Sequence, residues 1–264
     1  MLPHPAHVDL ATLVATHPDP FVVHQVNPGD SVGAWTLGDA VVLDGNRTRG
    51  GVDDGRPGLW CTGPAVDLDP LMAHVEPLIP RPGRVSVEET SFAALPASWR
   101  YAPSGHWHWM LTRTAPRHVP GEDAVTRLRT EGDDLADVDA LEALLDVANP
   151  GSFARAGTPG VEGWLGVRDP EASAALIAAG AIHRDPDGTG HLRGVTTHPA
   201  HRGRGLGAAV SAALTRWALA GAAGTATLGV YVDNDPALAV YDRLGFTTHH
   251  TFVSGRPVPP PSRQ

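Results

Sequence analysis

A glycine-rich loop that leads into an apolar helix constrains this chain more than any other segment. Residues 198–208 read HPAHRGRGLGA, which contains the pattern Arg-x-x-Gly-x-Gly. The start of a helix has unpaired backbone N–H groups and a partial positive charge, and glycines let phosphate oxygens approach the main chain closely. The arginines add cationic donors. The sequence therefore predicts a pyrophosphate site formed by Arg202, Gly203, Arg204, Gly205, Leu206, Gly207 and Ala208.

A second pattern follows the loop at a distance of a helix and a strand. Residues 234–246 read NDPALAVYDRLGF, which is Asn-x-x-Ala-x-x-x-Tyr-x-x-Leu-Gly-Phe. In this order and at this distance, the two motifs resemble the coenzyme A-binding core of the GNAT superfamily of N-acetyltransferases. The resemblance covers only residues 125–253, and it implies acetyl-CoA as the co-substrate.

The loop glycines also satisfy the dinucleotide fingerprint of a Rossmann unit, which reads Gly203-x-Gly205-x-x-Ala208 here. That fold needs several further strands, and only 56 residues follow Ala208. An acidic residue is expected about 20 positions downstream for the ribose, whereas Asp233 lies 25 positions beyond Ala208. A nucleotide oxidoreductase is therefore the weaker hypothesis, and it would be recognised by NAD(H) binding.

Composition disfavours several other classes of protein. The formal net charge of −9 argues against nucleic acid as a partner, because phosphate binding needs clustered Lys and Arg. No apolar run approaches membrane-spanning length and no basic secretory region is present near residue 1, so we expect a cytoplasmic protein. The single cysteine, Cys61, and the 14 histidines lack metal-binding spacing, so no metal site is predicted. Oligomeric state cannot be read from the sequence.

Residues 125–253 alternate between strand and helix patterns, which predicts a mixed α/β fold. The resemblance implies a central, mostly antiparallel sheet flanked by helices. The predicted elements are, in order, a strand at 125–129, a helix at 138–148, strands at 161–168, 175–183 and 191–197, a helix from residue 206, a strand at 225–232, a short helix capped by Asp235, and a strand at 247–253.

Residues 1–120 contain neither motif a second time. We interpret them as a divergent α+β domain, a degenerate GNAT-like half without a cofactor site. The predicted elements are strands at 22–23, 34–37, 40–43 and 106–112, a hairpin turn at 38–39, and a helix opened by Asp69-Pro70 that runs to about residue 78. The predicted domains are thus 1–120, a catalytic GNAT domain at 121–254, and a disordered tail at 255–264.

The resemblance also implies roles for individual residues. In the family, the strand before the loop separates from its neighbour and its backbone binds the pantetheine arm, which puts Val195, Thr196 and Thr197 at the cofactor and makes the Val195 N–H the oxyanion donor. Asn234 matches a position that contacts the cofactor or orders the separated strands, although helix capping would also explain it. Tyr241 matches a tyrosine that lies near the sulfur and acts as general acid. Its minimum role is a hydrogen bond to the developing thiolate, because a phenol is the weaker acid.

Several groups are candidates for the general base. In some family members a glutamate eleven residues before the motif arginine deprotonates the acceptor, and His191 occupies that position here. Histidine titrates in a suitable range. Transfer of a proton from an alkylammonium to an imidazole still costs about 5 kcal/mol, so desolvation must lower the pKa of the amine. His183, Glu162 and a chain of water molecules are the alternatives.

The resulting hypothesis is an acetyl-CoA-dependent N-acetyltransferase. The acetyl group would pass to a primary amine of a small molecule or peptide by direct attack, since Cys61 lies outside the predicted catalytic domain. The alternative from another class is a non-catalytic module that senses acyl-CoA. A sensor needs the phosphate loop but not Tyr241, so the presence of both favours the enzyme.

Overall fold

A computed structural model describes residues 4–25, 33–45, 56–172 and 174–258. The chain divides into two compact units, here called the N-terminal unit (Met1–Trp109 and His249–Gln264) and the C-terminal unit (Met110–Thr248). The domain boundaries expected from the sequence, at residues 120 and 254, stay a prediction. No helix in the described ranges has the length and apolar character that crossing a bilayer requires.

The first part of the chain forms short strands and helices. They are β1 (Ala6–Val8), α1 (Leu10–Thr16), α2 (Pro20–Gln25), β2 (Gly33–Leu37), β3 (Ala40–Asp44), β4 (Gly58–Thr62), α3 (Ala65–Val75), β5 (Arg84–Glu88) and β6 (Gly105–Thr112). The remaining elements are β7 (Thr126–Arg127), α4 (Val138–Ala148), β8 (Val161–Arg168), β9 (Leu176–Arg184), β10 (Gly190–Thr197), α5 (Leu206–Leu219), β11 (Ala226–Tyr231), α6 (Asp235–Arg243) and β12 (Thr247–Gly255).

Each unit contains one parallel pair of strands within otherwise antiparallel pairing. The strand order of the N-terminal unit includes β1-β2-β3-β4-β5-β12, in which β4 and β5 are parallel. The order of the C-terminal unit includes β11-β10-β9-β8-β7, in which β10 and β11 are parallel. A helix connects the strands of each parallel pair. We call β4–α3–β5 the N-terminal crossover and β10–α5–β11 the C-terminal crossover.

Both crossover helices pack an apolar face on their own sheet. In the N-terminal unit, Leu68, Leu71 and Met72 of α3 are fully buried in a cluster with strand residues such as Val85 and Val87. In the C-terminal unit, α5 buries one face against the sheet and α4 covers a second cluster. These helices form because apolar residues recur at helical spacing, and the buried area then holds them on the strands.

The C-terminal half follows the sequence-based expectations closely. The helix at 138–148 and the strand at 161–168 have the expected bounds, and β9, β10, β11 and β12 lie within two residues of theirs at each end. The expected strand at 125–129 is limited to Thr126–Arg127. The mixed, mostly antiparallel sheet flanked by helices is confirmed.

Two expectations for the N-terminal half were wrong. Residues 22–23 lie in helix α2 rather than in a strand, because Asp19 accepts hydrogen bonds from the Phe21 and Val22 N–H groups and starts a helical turn. Helix α3 begins at Ala65, so Pro70 lies inside it instead of at its start. This proline is exposed, so water can solvate the carbonyl group that its missing N–H leaves unpaired.

Residue 255, expected to be the first residue of the tail, lies instead in the last strand. Gly255 is the last residue of β12 and is buried against the ring of Tyr101. Beyond it, the Val258 N–H lies 3.4 Å from the Arg100 carbonyl oxygen. Residues 259–264 lie outside the described residues.

Candidate active site

The glycine-rich loop connects β10 to the first residue of α5. Gly203 and Gly205 have φ angles of +77° and +78°, and Gly205 is the N-cap residue of α5. These angles fall in the left-handed region, where a side chain would be strained. No atom lies within 4 Å of the position that a Cβ would take at either glycine. The loop therefore leaves open space above its own backbone.

The backbone N–H groups at this helix start are not used inside the protein. Residues 203–208 donate no backbone hydrogen bond to any part of the chain that the structure describes, and the first bonded N–H is that of Ala209, 3.0 Å from the Gly205 carbonyl oxygen. Residues 202–205 are exposed. Unbonded amides at an exposed helix start form an anion-binding site.

The loop arginines differ in their contacts. Arg202 Nε donates to the Thr197 carbonyl oxygen over 3.3 Å, which ties the loop to the end of β10. Arg204 is exposed and forms no hydrogen bond or ion pair with the described residues. The Arg204 side chain is therefore available for a charged ligand.

Strand β10 separates from β11 before it reaches the loop. The two strands pair only from Gly190–Ala226 to Leu192–Leu228, although both continue for several residues. On its other side, β10 changes register with β9 between Arg193 and Thr196. This bulge contains Gly194, whose φ is +59°. Residues 194–197 of β10 are thus not paired with β11 among the described residues.

Tyr241 lies in α6 within the apolar cluster under α5. Its side chain is 8% exposed, and the cluster also includes Val195 and Leu206. Burial raises the pKa of the phenol to about 12, and the nearby Ser211 hydroxyl opposes this shift in part. Ser211 Oγ is itself buried, and no hydrogen bond of standard geometry reaches it from the described residues. Tyr241 is therefore a neutral hydrogen-bond donor throughout the physiological pH range.

Asn234, and not Asp235, is the N-cap residue of α6. Its side chain accepts from the Ala237 N–H over 3.3 Å, and the cap position is therefore one residue earlier than expected. Asp235 then occupies the first helical position, where a carboxylate interacts well with the helix dipole. This capping bond accounts for one amide oxygen of Asn234, and its contact with a cofactor stays a prediction.

His191 lies at the opposite end of β10 from the loop. It is 9% exposed, and its Nδ1 lies 2.8 Å from Thr227 Oγ1 on β11. Four residues of strand separate it from Val195, which corresponds to about 13 Å. The neighbouring Leu192 belongs to the cluster that contains Tyr241, so His191 faces the other side of the sheet.

The alternative bases are engaged elsewhere. Glu162 pairs with Arg184 over 2.7 Å, and His183 Nε2 lies 3.5 Å from Asp185. The structure thus brings Val195, Leu206 and Tyr241 into one cluster, with the loop at the start of the adjacent helix. It does not bring His191 into that cluster.

Two features of this site were missed by sequence reasoning. Gly194 forms the bulge in β10, and an isolated glycine inside a strand pattern is a recognised signal for one. Ser211 lies near the Tyr241 phenol, and nothing in its local sequence distinguishes it from other small residues of an apolar helix. Only packing identifies it.

Comparison with known proteins agrees with this geometry. Residues 138–246 match the model of the acetyltransferase (GNAT) family. This part of the chain is therefore a GNAT acetyltransferase domain, and the resemblance drawn from the two motifs is confirmed. No curated protein matches the sequence at a significant level.

Several solved structures share the fold over nearly the whole chain. A GCN5-related N-acetyltransferase from Sphaerobacter thermophilus is 16% identical, with a TM-score of 0.53 and coverage of 98% of each chain. One from Kribbella flavida is 18% identical, with a TM-score of 0.52 and coverage of 94% of this chain and 96% of that chain. A GNAT-family acetyltransferase from Colwellia psychrerythraea is 12% identical, with a TM-score of 0.51, and covers 97% of this chain and 100% of its own. At these identities the likeness establishes the fold.

Proposed function

We propose that the chain is an N-acetyltransferase that transfers an acetyl group from acetyl-CoA to a primary amine of a small molecule or peptide. The unbonded N–H groups of residues 203–208 at the exposed start of α5 carry this proposal. Converging backbone amides bind phosphate oxygens because their dipoles point at a common centre. The start of α5 has no capping side chain, whereas Asn234 caps the start of α6.

The loop fits the pyrophosphate of coenzyme A. Gly203 and Gly205 leave the space that phosphate oxygens need, and Arg204 adds a free cation at the same place. The amides of Leu206, Gly207 and Ala208 extend this site along the first turn of α5. We further propose that the unpaired backbone of Val195, Thr196 and Thr197 binds the pantetheine arm, since its groups face the gap between β10 and β11.

Acetyl-CoA supplies an activated thioester, which the amine attacks directly. The Val195 N–H donates to the oxyanion that forms, a role suited to a backbone group held rigidly in a bulge. Direct attack involves no covalent enzyme intermediate. Cys61 is not suited to form one, because it is fully buried in β4 of the other unit and burial raises the pKa of its thiol.

Tyr241 acts in this proposal by hydrogen bonding to the leaving sulfur. Because the pKa of the phenol is about 12, complete transfer of its proton to a thiolate that resembles cysteine would cost about 5 kcal/mol. A hydrogen bond to the developing negative charge avoids most of this cost. Its position in the same cluster as Val195 supports the assignment.

His191 remains our proposed general base. In the tautomer whose Nδ1 donates to Thr227, Nε2 holds the lone pair that accepts a proton. The length of strand between His191 and Val195 means that water molecules must carry the proton from the amine. A base that acts through water contributes less than one in direct contact.

Titration calorimetry of the full chain with acetyl-CoA tests the proposal. Wild type should bind in the micromolar range, and Arg204→Ala should bind about tenfold more weakly, because it loses a charge-assisted contact. Arg243→Ala removes another exposed arginine and should leave affinity unchanged. If the wild-type protein did not bind acetyl-CoA, the enzyme hypothesis would have to be abandoned. Binding without turnover on a panel of amines would instead support an acyl-CoA sensor.

A further inference from the structure

The N-terminal unit contains a cavity of its own. It has a volume of about 420 Å³, and all of its lining residues belong to that unit. Thr62 and Glu88, the last residues of β4 and β5, lie in its wall. The cavity therefore lies at the carboxyl ends of a parallel pair of strands, where ligands bind in many α/β folds.

A histidine held by two carboxylates forms one side of this cavity. His250 Nε2 lies 3.0 Å from both carboxylate oxygens of Asp19, and its Nδ1 bonds to Glu88. Burial would lower the pKa of His250, but the hydrogen bonds and charges of Asp19 and Glu88 raise it to about 9. Both ring N–H groups therefore point at carboxylates and none points into the cavity.

One further carboxylate lies in the described part of the wall. Asp39 lines the cavity and is exposed, so its carboxylate is free to receive a ligand. Among the described lining residues, three carboxylates and one imidazolium give a formal charge of −2. The ring nitrogens of His17 are already used by Thr16 Oγ1 and the Gly38 carbonyl oxygen.

An unpartnered hydroxyl points to a ligand independently of these charges. Thr62 is 5% exposed and lines the cavity, yet its side chain forms no hydrogen bond with any described residue. Because Thr62 is buried and its hydroxyl has no described protein partner, its hydrogen bonds come from whatever occupies the cavity.

We propose that this cavity binds a small organic cation that carries an ammonium or guanidinium group. The negative wall attracts such a group, its N–H donors match Asp39 and the Thr62 oxygen, and the volume suits a small molecule. An anion would meet carboxylates, and no group of three or more His, Cys, Asp or Glu side chains in the described ranges is arranged to hold a metal ion. The inference holds whether or not the C-terminal unit transfers acetyl groups.

Titration of the full chain without acetyl-CoA tests this site. Butylammonium and butylguanidinium are the probes, butanol is the uncharged control, and NMR shifts of the Thr62 methyl group and the His250 ring report binding. At least one cation should shift both signals with saturation, and butanol should not. Shifts with Ca²⁺ but with neither organic cation would overturn the proposal, as would equal shifts with butanol or no shift at all.

Three variants locate the binding. Thr62→Val keeps the shape and should weaken binding about tenfold, since a hydrogen bond to a charged group is lost. Asp39→Asn should weaken it about threefold, as expected for an exposed charge. Asp69→Asn removes an exposed carboxylate of α3 outside the cavity and should change nothing. Equal affinity in Thr62→Val and wild type would show that the cation binds elsewhere.

Discussion

The two crossovers share their topology and differ in how they treat the start of their helix. In the C-terminal crossover, the loop between β10 and α5 exposes unbonded amides beside two arginines. In the N-terminal crossover, only Gly63 and Pro64 separate β4 from α3, and the Gly63 N–H is bonded by the Glu88 carboxylate over 3.2 Å. Among the described residues, the amides beside the C-terminal loop have no partner, whereas a carboxylate already bonds the N–H that precedes α3.

The same contrast extends to charge. Asp67 of α3 accepts from the Asp39 N–H over 3.1 Å, so a second carboxylate stands near the N-terminal crossover. At the loop of 198–205, Asp169 lies 4.0 Å from His201 Nε2, and no carboxylate in the described ranges accepts from a backbone N–H of the loop. We infer that the shared fold offers each unit a place for a ligand and that the connecting segment determines the charge of that ligand.

The largest expected effect concerns His250, which exists only at the acidic crossover. In the folded protein the pKa of His250 is about 9, above its usual value. The stability that protonated His250 contributes is therefore complete below about pH 6.5 and is lost as pH rises through 9. We expect about 3 kcal/mol less stability of the N-terminal unit at pH 9.5 than at pH 6.5.

Urea unfolding measures this change. Intrinsic fluorescence reports mainly on the N-terminal unit, because five of the seven tryptophans lie there. The chain has no lysine, so no lysine side chain contributes to the pH dependence in this window. His250→Gln should remove most of the pH dependence. If the free energy of unfolding of His250→Gln varied with pH as that of wild type does, the contacts of His250 with Asp19 and Glu88 would contribute little to stability.

Loss of the Tyr241 hydroxyl should be the next largest effect. Tyr241→Phe removes the donor to the leaving sulfur and should lower kcat about 100-fold, with little change in acetyl-CoA affinity. Tyr231→Phe is the control, since Tyr231 is 49% exposed on β11. Wild-type kcat in Tyr241→Phe would remove this residue from the mechanism and would leave the C-terminal crossover as a binding site only.

Gly194→Ala should destabilise the C-terminal unit by about 2 kcal/mol. The new Cβ would adopt a left-handed φ and lie 3.0 Å from Ser152 Oγ and 3.2 Å from the Trp164 ring. Gly132→Ala has nearly the same φ, +60°, but open space around it, and should cost about 1 kcal/mol. Thermal unfolding of both variants separates backbone strain from packing. If the two variants lost the same amount of stability, the bulge would tolerate a side chain at residue 194.

His191→Gln should give the smallest change. We expect kcat/KM to fall about tenfold near pH 7 and the acidic limb of its pH profile to disappear, because a proton acceptor is removed but water remains. Thr227→Val keeps the His191 imidazole and removes the hydroxyl that contacts it. This variant should shift the acidic limb of the pH profile without abolishing it. A profile identical to wild type in His191→Gln would exclude this residue as the base.

Sequence reasoning succeeded where local chemistry decides structure. The pairing of a glycine-rich loop with an Asn…Tyr helix predicted the C-terminal fold, since glycines with left-handed φ and an amphipathic helix depend on few distant residues. It failed at residues 22–23, where two valines suggested a strand but Asp19 initiates a helix. It also missed β4 and β5, and with them the crossover in the N-terminal half.

The amino-acid sequence by itself determined the glycine loop, the order of elements after residue 138 and the GNAT family of that segment. Tertiary structure decided which groups stay free. Pairing of β10 with β11 stops at Leu192, the amides of 203–208 find no partner in the part of the chain that the structure describes, and Glu88 contacts His250 across 162 residues of chain. Such outcomes depend on contacts between distant segments, and the free energy of a polar group depends on whether those contacts satisfy it.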